Sequence, residues 1–473
     1  SVPKLMPEKQ LGTAYSLIFF VQNLIALMFT PFLIGWVLDK YCITGRSLVT
    51  ETVDGAVQTT ELVHYDYTLP MVIFVCFGVL AIVFALLLHR CRRTGTAALA
   101  NQGLSPAFWG AAALILLAGL QIARPVAPEA LALAPGPFTI SRSLSLTFAL
   151  DWVCYVTLLI AVPPVFKDSK ALTRFAWVLL IIGATLAIAG LSQRMAGDTH
   201  YFGIRPISPL NVPFGPFPNK NHAGTILAMS ICAGVGLLAD LISRNRALRR
   251  DGMTDELFGQ GLVLLCLLSV ALGGLVASRA RAALLALVVT GLLAALIRLR
   301  DRSIPFRSRV ALATLLLTAT GWGILAHRSG VSFLGHLAPG SVNSYPFRLA
   351  MARDAFRLIQ DFPLFGIGLG AYRVASPFYH DPILGIFFVD YVHCDPLQLA
   401  AEGGFPFSVF FYSLTLLTLA LAFRRITRDG FAGHHAALGL LFACVVVMLH
   451  QLVDFPTRIP GVEVVFVAAL AAV

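Results

Sequence analysis

Apolar runs close to the length of a bilayer-spanning helix recur along the whole chain, separated by short polar segments. Crossing the hydrocarbon core takes about 20 apolar residues in a helix. Runs of that kind fall at 13–37, 69–88, 106–122, 148–166, 173–192, 222–241, 259–278, 282–297, 309–326, 404–423 and 433–452. One more, 461–473, closes the sequence. The runs are continuous rather than alternating, which predicts helices and not barrel strands. The pattern predicts an all-α polytopic membrane protein with about 11–12 transmembrane helices.

Composition strengthens that reading. The 473 residues are 58% hydrophobic and 12% charged, against about a quarter charged in soluble domains. Mean hydropathy is +0.81. The formal net charge of +11 would raise the question of nucleic acid, but the positive residues are dispersed among short loops. That is the distribution of the positive-inside rule, so the expected partners are membrane lipids and not nucleic acid. With Arg90, Arg92 and Arg93 on the cytoplasmic side, alternation places Lys167/Lys170/Arg174, Arg244/Arg246/Arg249/Arg250, Arg298/Arg300/Arg302/Arg307/Arg309 and Arg424/Arg425/Arg428 inside as well. The N-terminus, with Lys4 and Lys9, is then also inside. The eight cysteines show no CxxC and no regular spacing, and most lie in apolar runs, so no disulfide framework is implied. The chain opens on Ser1 and stops within an apolar run at Val473, which reads as a piece of a longer protein.

One outer segment, 327–403, is much longer than the others, and a long loop in a compact membrane domain is usually functional. Within it Phe347, Met351, Ala355 and Leu358/Ile359 recur at helical spacing, predicting an amphipathic helix suited to the membrane surface. The following 366-GIGLG-370 succeeds no strand and opens no helix, so it fails as a nucleotide loop; its glycines suit close backbone packing.

Four polar clusters stand at helix boundaries on the predicted outer face. Asn219, Lys220, Asn221 and His222 open one helix, where an asparagine cap is ordinary but a lysine and a histidine beside it suit an anion. Arg279 and Arg281 sit at the outer end of a tight hairpin, against the inner bias of positive charge. Arg348 lies in the amphipathic helix. The fourth cluster holds His393, with Asp390 and Asp395 near in sequence and Gln398 and Glu402 further on. His393 has three readings: a structural histidine, a zinc ligand with His380, Asp381 and Cys394, or a general base. The zinc reading lacks a recognised ligand spacing. A general base suits an imidazole whose unperturbed pKa lies near neutrality. Either Asp390 or Asp395 would orient its ring. Arginine's planar fork suits phosphate oxygens, so the clusters together fit a lipid diphosphate attacked by a deprotonated hydroxyl.

Two family resemblances complete the reading. Residues 1–92 resemble the last two helices of a major facilitator transporter, through Gly12-Thr13-Ala14, Pro31, Gly35 and Asp39. Two helices make no transport site, so this piece is expected to be a passenger or fusion remnant, or two ordinary extra helices. Residues 93–473 resemble the O-antigen ligase and polymerase family, bacterial membrane glycosyltransferases of envelope polysaccharides. Asn-Lys-Asn-His-Ala at 219–223 is similar to that family's Asn-x-Asn-His-x-Ala pattern, and Arg281-Ala-Ala-Leu-Leu to its Ser-Arg-x-x-Leu-Leu helix start, with Ala280 in place of the serine. Arg348 with 361-DFPLFGIGLGAY-372, His393…Gln398…Glu402…Gly404, and 450-HQLVDFP-456 resemble the remaining motifs. Cys394 and Phe407 depart from the pattern around the histidine.

The resemblance implies a C-terminally truncated, metal- and cofactor-independent inverting glycosyltransferase of the bacterial inner membrane, working on the periplasmic face in lipopolysaccharide or polysaccharide biosynthesis. His393 would be the base, and Arg281 and Arg348 would act on the diphosphate. Arg279, Asn219, Lys220, Asn221, His222, Asp395, Gln398 and Glu402 would bind substrate. The donor would be an undecaprenyl diphosphate-linked glycan, and the acceptor a lipid A-core, a growing polysaccharide or a protein. The rival from another class is a membrane transporter, against which stand helix interiors nearly free of ionisable residues and the lack of a repeat between halves. A non-catalytic assembly partner is the third reading.

Overall fold

The structure, a computed structural model, describes residues 43–53, 56–65, 105–126, 136–163, 165–166, 169–195, 200–201, 205–206, 213–248, 255–300, 345–385, 389–428 and 434–473. The predicted runs at 13–37, 69–88 and 309–326 lie outside the described residues. The chain divides into two units, Ser1–Cys91 and Arg92–Val473.

In the first unit the described part is an antiparallel hairpin of β1 (Ile43–Val53) and β2 (Ala56–Tyr65), with Val53 opposite Ala56 and Ser47 opposite Leu62. The prediction had only a loop there. Two residues, Asp54-Gly55, separate stretches rich in valine and threonine, and that is a strong short-range hairpin signal.

The second unit is a helix bundle. Its main helices are α1 (Pro106–Ile122), α2 (Arg142–Ala161), α3 (Ser169–Met195), α4 (Lys220–Leu248), α5 (Asp255–Ser278) and α6 (Arg281–Arg300). Past residue 344 come α7 (Tyr345–Asp361), α8 (Tyr372–Ala375), α9 (Asp395–Gly403), α10 (Phe405–Ile426), α11 (His434–His450) and α12 (Pro460–Ala472). Two-residue strands β3 (His200–Tyr201) and β4 (Arg205–Pro206) pair between α3 and α4. Every predicted run that falls on described residues is helical. Among the described residues five helices are long and apolar enough to cross a membrane, and α1, α6, α11 and α12 are shorter apolar helices. Apart from the two short antiparallel pairs, the described residues are those of a helical polytopic membrane protein.

Local chemistry explains the ends. Ser105 caps α1 by accepting from the Phe108 amide, and Pro106 fills the first turn, where no amide partner is needed. Helix α2 starts six residues before the predicted 148 and stops at Ala161, because prolines at 163 and 164 cannot continue it.

Helix α4 is the bundle's centre and packs on α3, α5 and α11. Its approach to α11 is backbone against backbone: a Cβ on Gly236 would lie 2.8 Å from Gly439 Cα. Small residues permit such contact, which is how helices associate where lipid offers no hydrophobic gradient.

A second core gathers under the segment after residue 344. The predicted apolar face of α7 is buried there: Ala355 and Leu358 fully, Phe347, Met351 and Ile359 nearly so, beside Ile367, Tyr372, Val392 and Ala400. The expectation that α7 lies on the membrane surface is therefore corrected. Its apolar stripe packs on protein, chiefly α9. Amphipathic spacing says that one face needs cover and does not say what covers it.

The glycine run pins α9 in place. Gly366, Gly368 and Gly370 have φ of 62°, 114° and 78°, where side chains are strained. A Cβ on Gly368 would collide with Thr139. The freed approach lets Ile367 and Gly368 donate to the carbonyls of Ala401 (3.2 Å) and Glu402 (3.0 Å), closing the C-terminal carbonyls of α9.

Candidate active site

The bundle brings its chemistry-bearing residues to one end. Asn219 caps α4, its Oδ1 accepting from the Asn221 amide at 2.9 Å. Lys220 and His222 ride on that first turn. A close approach sets the next element beside it: a Cβ on Gly224 would clash with the Cβ of Ala280. Ala280 thus stands where a serine's extra oxygen would need room. It lies in the corner between α5 and α6, where Ser278 Oγ accepts from the Ala280 amide at 3.2 Å and Arg279 turns the chain at φ 55°. Arg281 opens α6.

The corner collects positive charge. Lys220 lies within electrostatic range of Arg194, Arg281, Arg279 and Arg348. Arg194, at the end of α3, was not singled out in the sequence. It donates to the Ser278 carbonyl at 3.3 Å and sits 5.7 Å over the Phe214 ring, which ties α3 to the corner.

His393 stands at the entrance to α9 with φ 58°. Arg279 and His393 are the non-glycine residues in this left-handed region among those described. Such a conformation costs about 1–3 kcal/mol and persists where the surroundings over-determine it. Cys394 follows as the N-cap of α9 but makes no side-chain capping bond, a role that asparagine or serine performs. Phe407, the other departure, packs in the small core with Leu114, Leu117 and Leu399.

The acid that faces His393 is Asp454, and neither Asp390 nor Asp395. Asp454 is fully buried in the turn between α11 and α12. Its Oδ1 lies 3.2 Å from His393 Nδ1 and accepts from the Phe455 amide at 2.9 Å. Its Oδ2 accepts from Asn221 Nδ2 at 2.5 Å, with Arg348 Nη2 at 3.9 Å and His450 Nε2 at 4.0 Å. Burial alone would raise its pKa, but the hydrogen bond from His393 and the charges of His393, Arg348 and His450 outweigh burial. The carboxyl is held well below the usual carboxylate range. It therefore stays ionised and can only accept, so the nitrogen facing it, His393 Nδ1, carries a proton; in the neutral imidazole that leaves the lone pair on Nε2.

Arg348 donates through Nη1 to the Val453 carbonyl at 2.5 Å, and its buried Nε makes no hydrogen bond. The sequence placed Arg348 on substrate; the structure also engages it with the Asp454 turn.

Asp395, Gln398 and Glu402 are buried at 1%, 2% and 0% exposure and face inward. Glu402 receives Arg458 Nη1 at 2.7 Å and Gln398 Nε2 at 3.1 Å. Gln398 Oε1 accepts from the Val392 amide at 3.0 Å, next to His393. Asp395 Oδ2 accepts the Thr457 hydroxyl at 2.5 Å and the Thr457 amide at 3.1 Å, with Arg458 Nε 3.7 Å from Oδ1. Their expected contact with substrate is corrected: they bind the His393 loop to the Thr457–Arg458 turn. Asp390 is half-exposed and pairs with Arg373 at 3.6 Å. His380 is engaged with the Gly385 carbonyl at 2.8 Å and Asp381 caps a 3-10 turn, so neither joins His393 and Cys394 as a metal set. No group of three or more metal-ligating side chains gathers among the described residues.

His393 lines a cavity of about 460 Å³ with Asn219, His222, Asp390, Tyr391 and Phe455 among its walls. Tyr391 stacks on Phe455 at 4.3 Å. A smaller cavity of about 90 Å³ lies elsewhere, near Arg458, Asp151 and Glu463.

Fold and site define a multi-pass membrane protein whose ionisable chemistry is gathered at one end of its helix bundle. Residues 264–412 match the family model for O-antigen ligase. Over that segment the match bears out the resemblance read from the motifs, and it supports a part in glycan transfer for polysaccharide assembly. A comparison with curated proteins gave no match. The matched segment holds Arg281, Arg348 and His393. Asn219–His222 and Asp454 lie outside it, and tertiary packing brings them in.

Proposed function

We propose that the protein transfers a glycan from an undecaprenyl diphosphate carrier to a hydroxyl acceptor at the outer face of the bacterial inner membrane. The observation that carries this reading is the pair His393–Asp454, with Nε2 free to act as base beside a cavity, next to a cluster of arginines. His393 Nε2 takes the proton of the acceptor hydroxyl as its oxygen attacks the anomeric carbon. The bond from that carbon to the phosphate oxygen breaks on the far side, with inversion, and the lipid diphosphate leaves with the electron pair. Arg281, Arg279 and Lys220 stabilise the charge that develops on it, and Arg348 Nε is a further donor; such help acts mainly in the transition state. Arginine supplies the charge, so the scheme calls for no metal.

Arg281→Ala should weaken binding of a lipid diphosphate by roughly 10- to 100-fold, the range of a charged hydrogen bond worth about 1.5–3 kcal/mol. Lysine should rescue poorly, since a point charge lacks the planar fork. Arg348→Ala should weaken binding similarly and also lower thermal stability, because it releases the Asp454 turn. Unchanged affinity in a folded Arg281→Ala protein sinks the donor assignment.

The outer placement follows from the charge asymmetry between loops. An Arg357→Cys protein, with its half-exposed site on α7, should react with a membrane-impermeant maleimide in intact spheroplasts beyond the level of the parent chain. Labelling only after permeabilisation contradicts that topology.

A further inference from the structure

His393 is held in its left-handed conformation from both flanks. On one side the Val392 amide donates to Gln398 Oε1 at 3.0 Å. On the other the Asp395 amide donates to the Gln451 carbonyl at 3.0 Å. Side-chain arms from both flanks then run to a single guanidinium. Gln398 Nε2 donates to Glu402 Oε1 at 3.1 Å, and Glu402 Oε2 receives Arg458 Nη1 at 2.7 Å. Asp395 Oδ1 lies 3.7 Å from Arg458 Nε, and its Oδ2 accepts from the hydroxyl and the amide of Thr457, the residue before Arg458. A strained backbone persists where its surroundings over-determine it, and these two arms do so from either side of His393.

Arg458 is placed for that junction and not for the cavity. It is not among the described residues that line the cavity at His393. Its side chain is buried, and the guanidinium carbon sits 5.3 Å over the Phe148 ring, which fixes its plane. It closes the 3-10 turn Pro456–Arg458, which follows Asp454 by one residue. One short segment thus supplies both the acid on His393 Nδ1 and the anchor for the backbone around His393. Networks of buried polar groups hold their geometry only while every member is satisfied.

We infer that Arg458 is a positioning residue for transfer: through Glu402 and Gln398 on one arm and Asp395 on the other, it fixes the backbone of His393 and so the direction of Nε2. This role rests on the transfer reading of His393. Lysine cannot stand in for it. A single ammonium reaches one carboxyl group, where the guanidinium joins two through separate nitrogens.

The test uses the full chain in lipid nanodiscs and two variants. Arg458→Lys keeps the charge and drops one arm. Gln398→Met keeps the side chain's shape and all the charges, and removes the acceptor of the Val392 amide. Each should lower kcat for transfer by roughly 10- to 100-fold, the cost of a misplaced catalytic group, with donor affinity nearly unchanged. In a His393→Asn background neither should lower the residual rate further, because the group they position is gone. A purely structural role lowers the rate in both backgrounds alike. A second readout needs no activity. Cys394, half-buried beside His393, should react with N-ethylmaleimide faster by about 10-fold or more in each variant, as local opening of its loop becomes easier. Peptide mass spectrometry follows it, and Cys232 and Cys444, buried in the bundle, should stay protected in a folded variant. Gln398→Met decides the matter where Arg458→Lys fails to fold. Unchanged kcat in the folded variants overturns the inference, as does an equal loss in the two backgrounds, or an unchanged rate at Cys394. Faster labelling of Cys394 in variants of a parent chain that transfers no glycan from a lipid diphosphate overturns the transfer reading and leaves the clamp on the His393 loop standing.

Discussion

His393→Ala should slow glycan transfer by about 10²–10⁴-fold while leaving binding of the lipid diphosphate donor nearly unchanged, the contribution of a positioned general base. The geometry motivates the size of the effect. His393 is held by a left-handed backbone, by Phe455 against its ring edge and by Asp454 on Nδ1. Those constraints fix the direction of Nε2. A base in fixed orientation acts without first paying for ordering, and alanine removes it outright. Alanine at φ 58° is itself strained, so His393→Asn is the cleaner variant, because asparagine tolerates that region better. Asparagine should keep the fold and still lose transfer. Were His393 structural, the variants would melt early and the surviving protein would turn over normally. Turnover and melting temperature measured on one purified preparation separate the two, and full specific activity in folded His393→Asn would end the proposal.

Asp454→Asn should lower transfer by about 10²-fold or more, and Asp454→Ala should in addition destabilise the protein by about 3–5 kcal/mol. Five groups converge on this carboxylate: Asn221 Nδ2, His393 Nδ1, the Phe455 amide, Arg348 and His450. An amide cannot satisfy them all, because its NH₂ meets either Asn221 Nδ2 or His393 Nδ1, each a donor. If it meets His393, the imidazole turns to the wrong tautomer and Nε2 loses its lone pair. Alanine leaves buried donors with no acceptor, hence the larger loss of stability. The sign of the pH effect follows. The folded pKa of Asp454 is depressed, so its stabilising contribution is fully present above the unfolded value of about 4 and declines as pH falls toward the folded one. The Asp454→Asn protein should therefore lose less stability than the parent between neutrality and strong acid. Unfolding at several pH values measures this, and a wild-type rate in folded Asp454→Asn would remove Asp454 from the catalytic unit.

Arg348 shows how a correct residue can carry an incomplete role. It lies seven residues before Ala355, nearly two full turns, and so beside the buried face of α7 that Ala355 and Leu358 mark. Its contact with Val453 crosses 105 positions of chain, which no local pattern reports. Gln398 and Glu402 are the opposite case. Their motif is legible, but their partners are Arg458 and the Val392 amide, and this turns them from substrate toward the loop that holds His393.

The amino-acid sequence by itself determined the membrane class, the existence of the long apolar helices that the structure describes, the apolar face of α7 and the close packing of the glycines at 366–370. These follow from composition, run length and periodicity, which act over one or two helical turns and need no knowledge of neighbours. The β1–β2 hairpin was equally local, signalled by Asp54-Gly55, and was passed over between two apolar runs. Only the tertiary structure decided which acid serves His393. Asp390 and Asp395 are near it along the chain, yet Asp454, 61 positions away, makes the bond. The reason is physical: a side chain meets what the packing of helices brings to it. The Gly236–Gly439 contact between α4 and α11 draws the first turn of one toward the last turn of the other, and so sets Asn221 and Asp454 face to face.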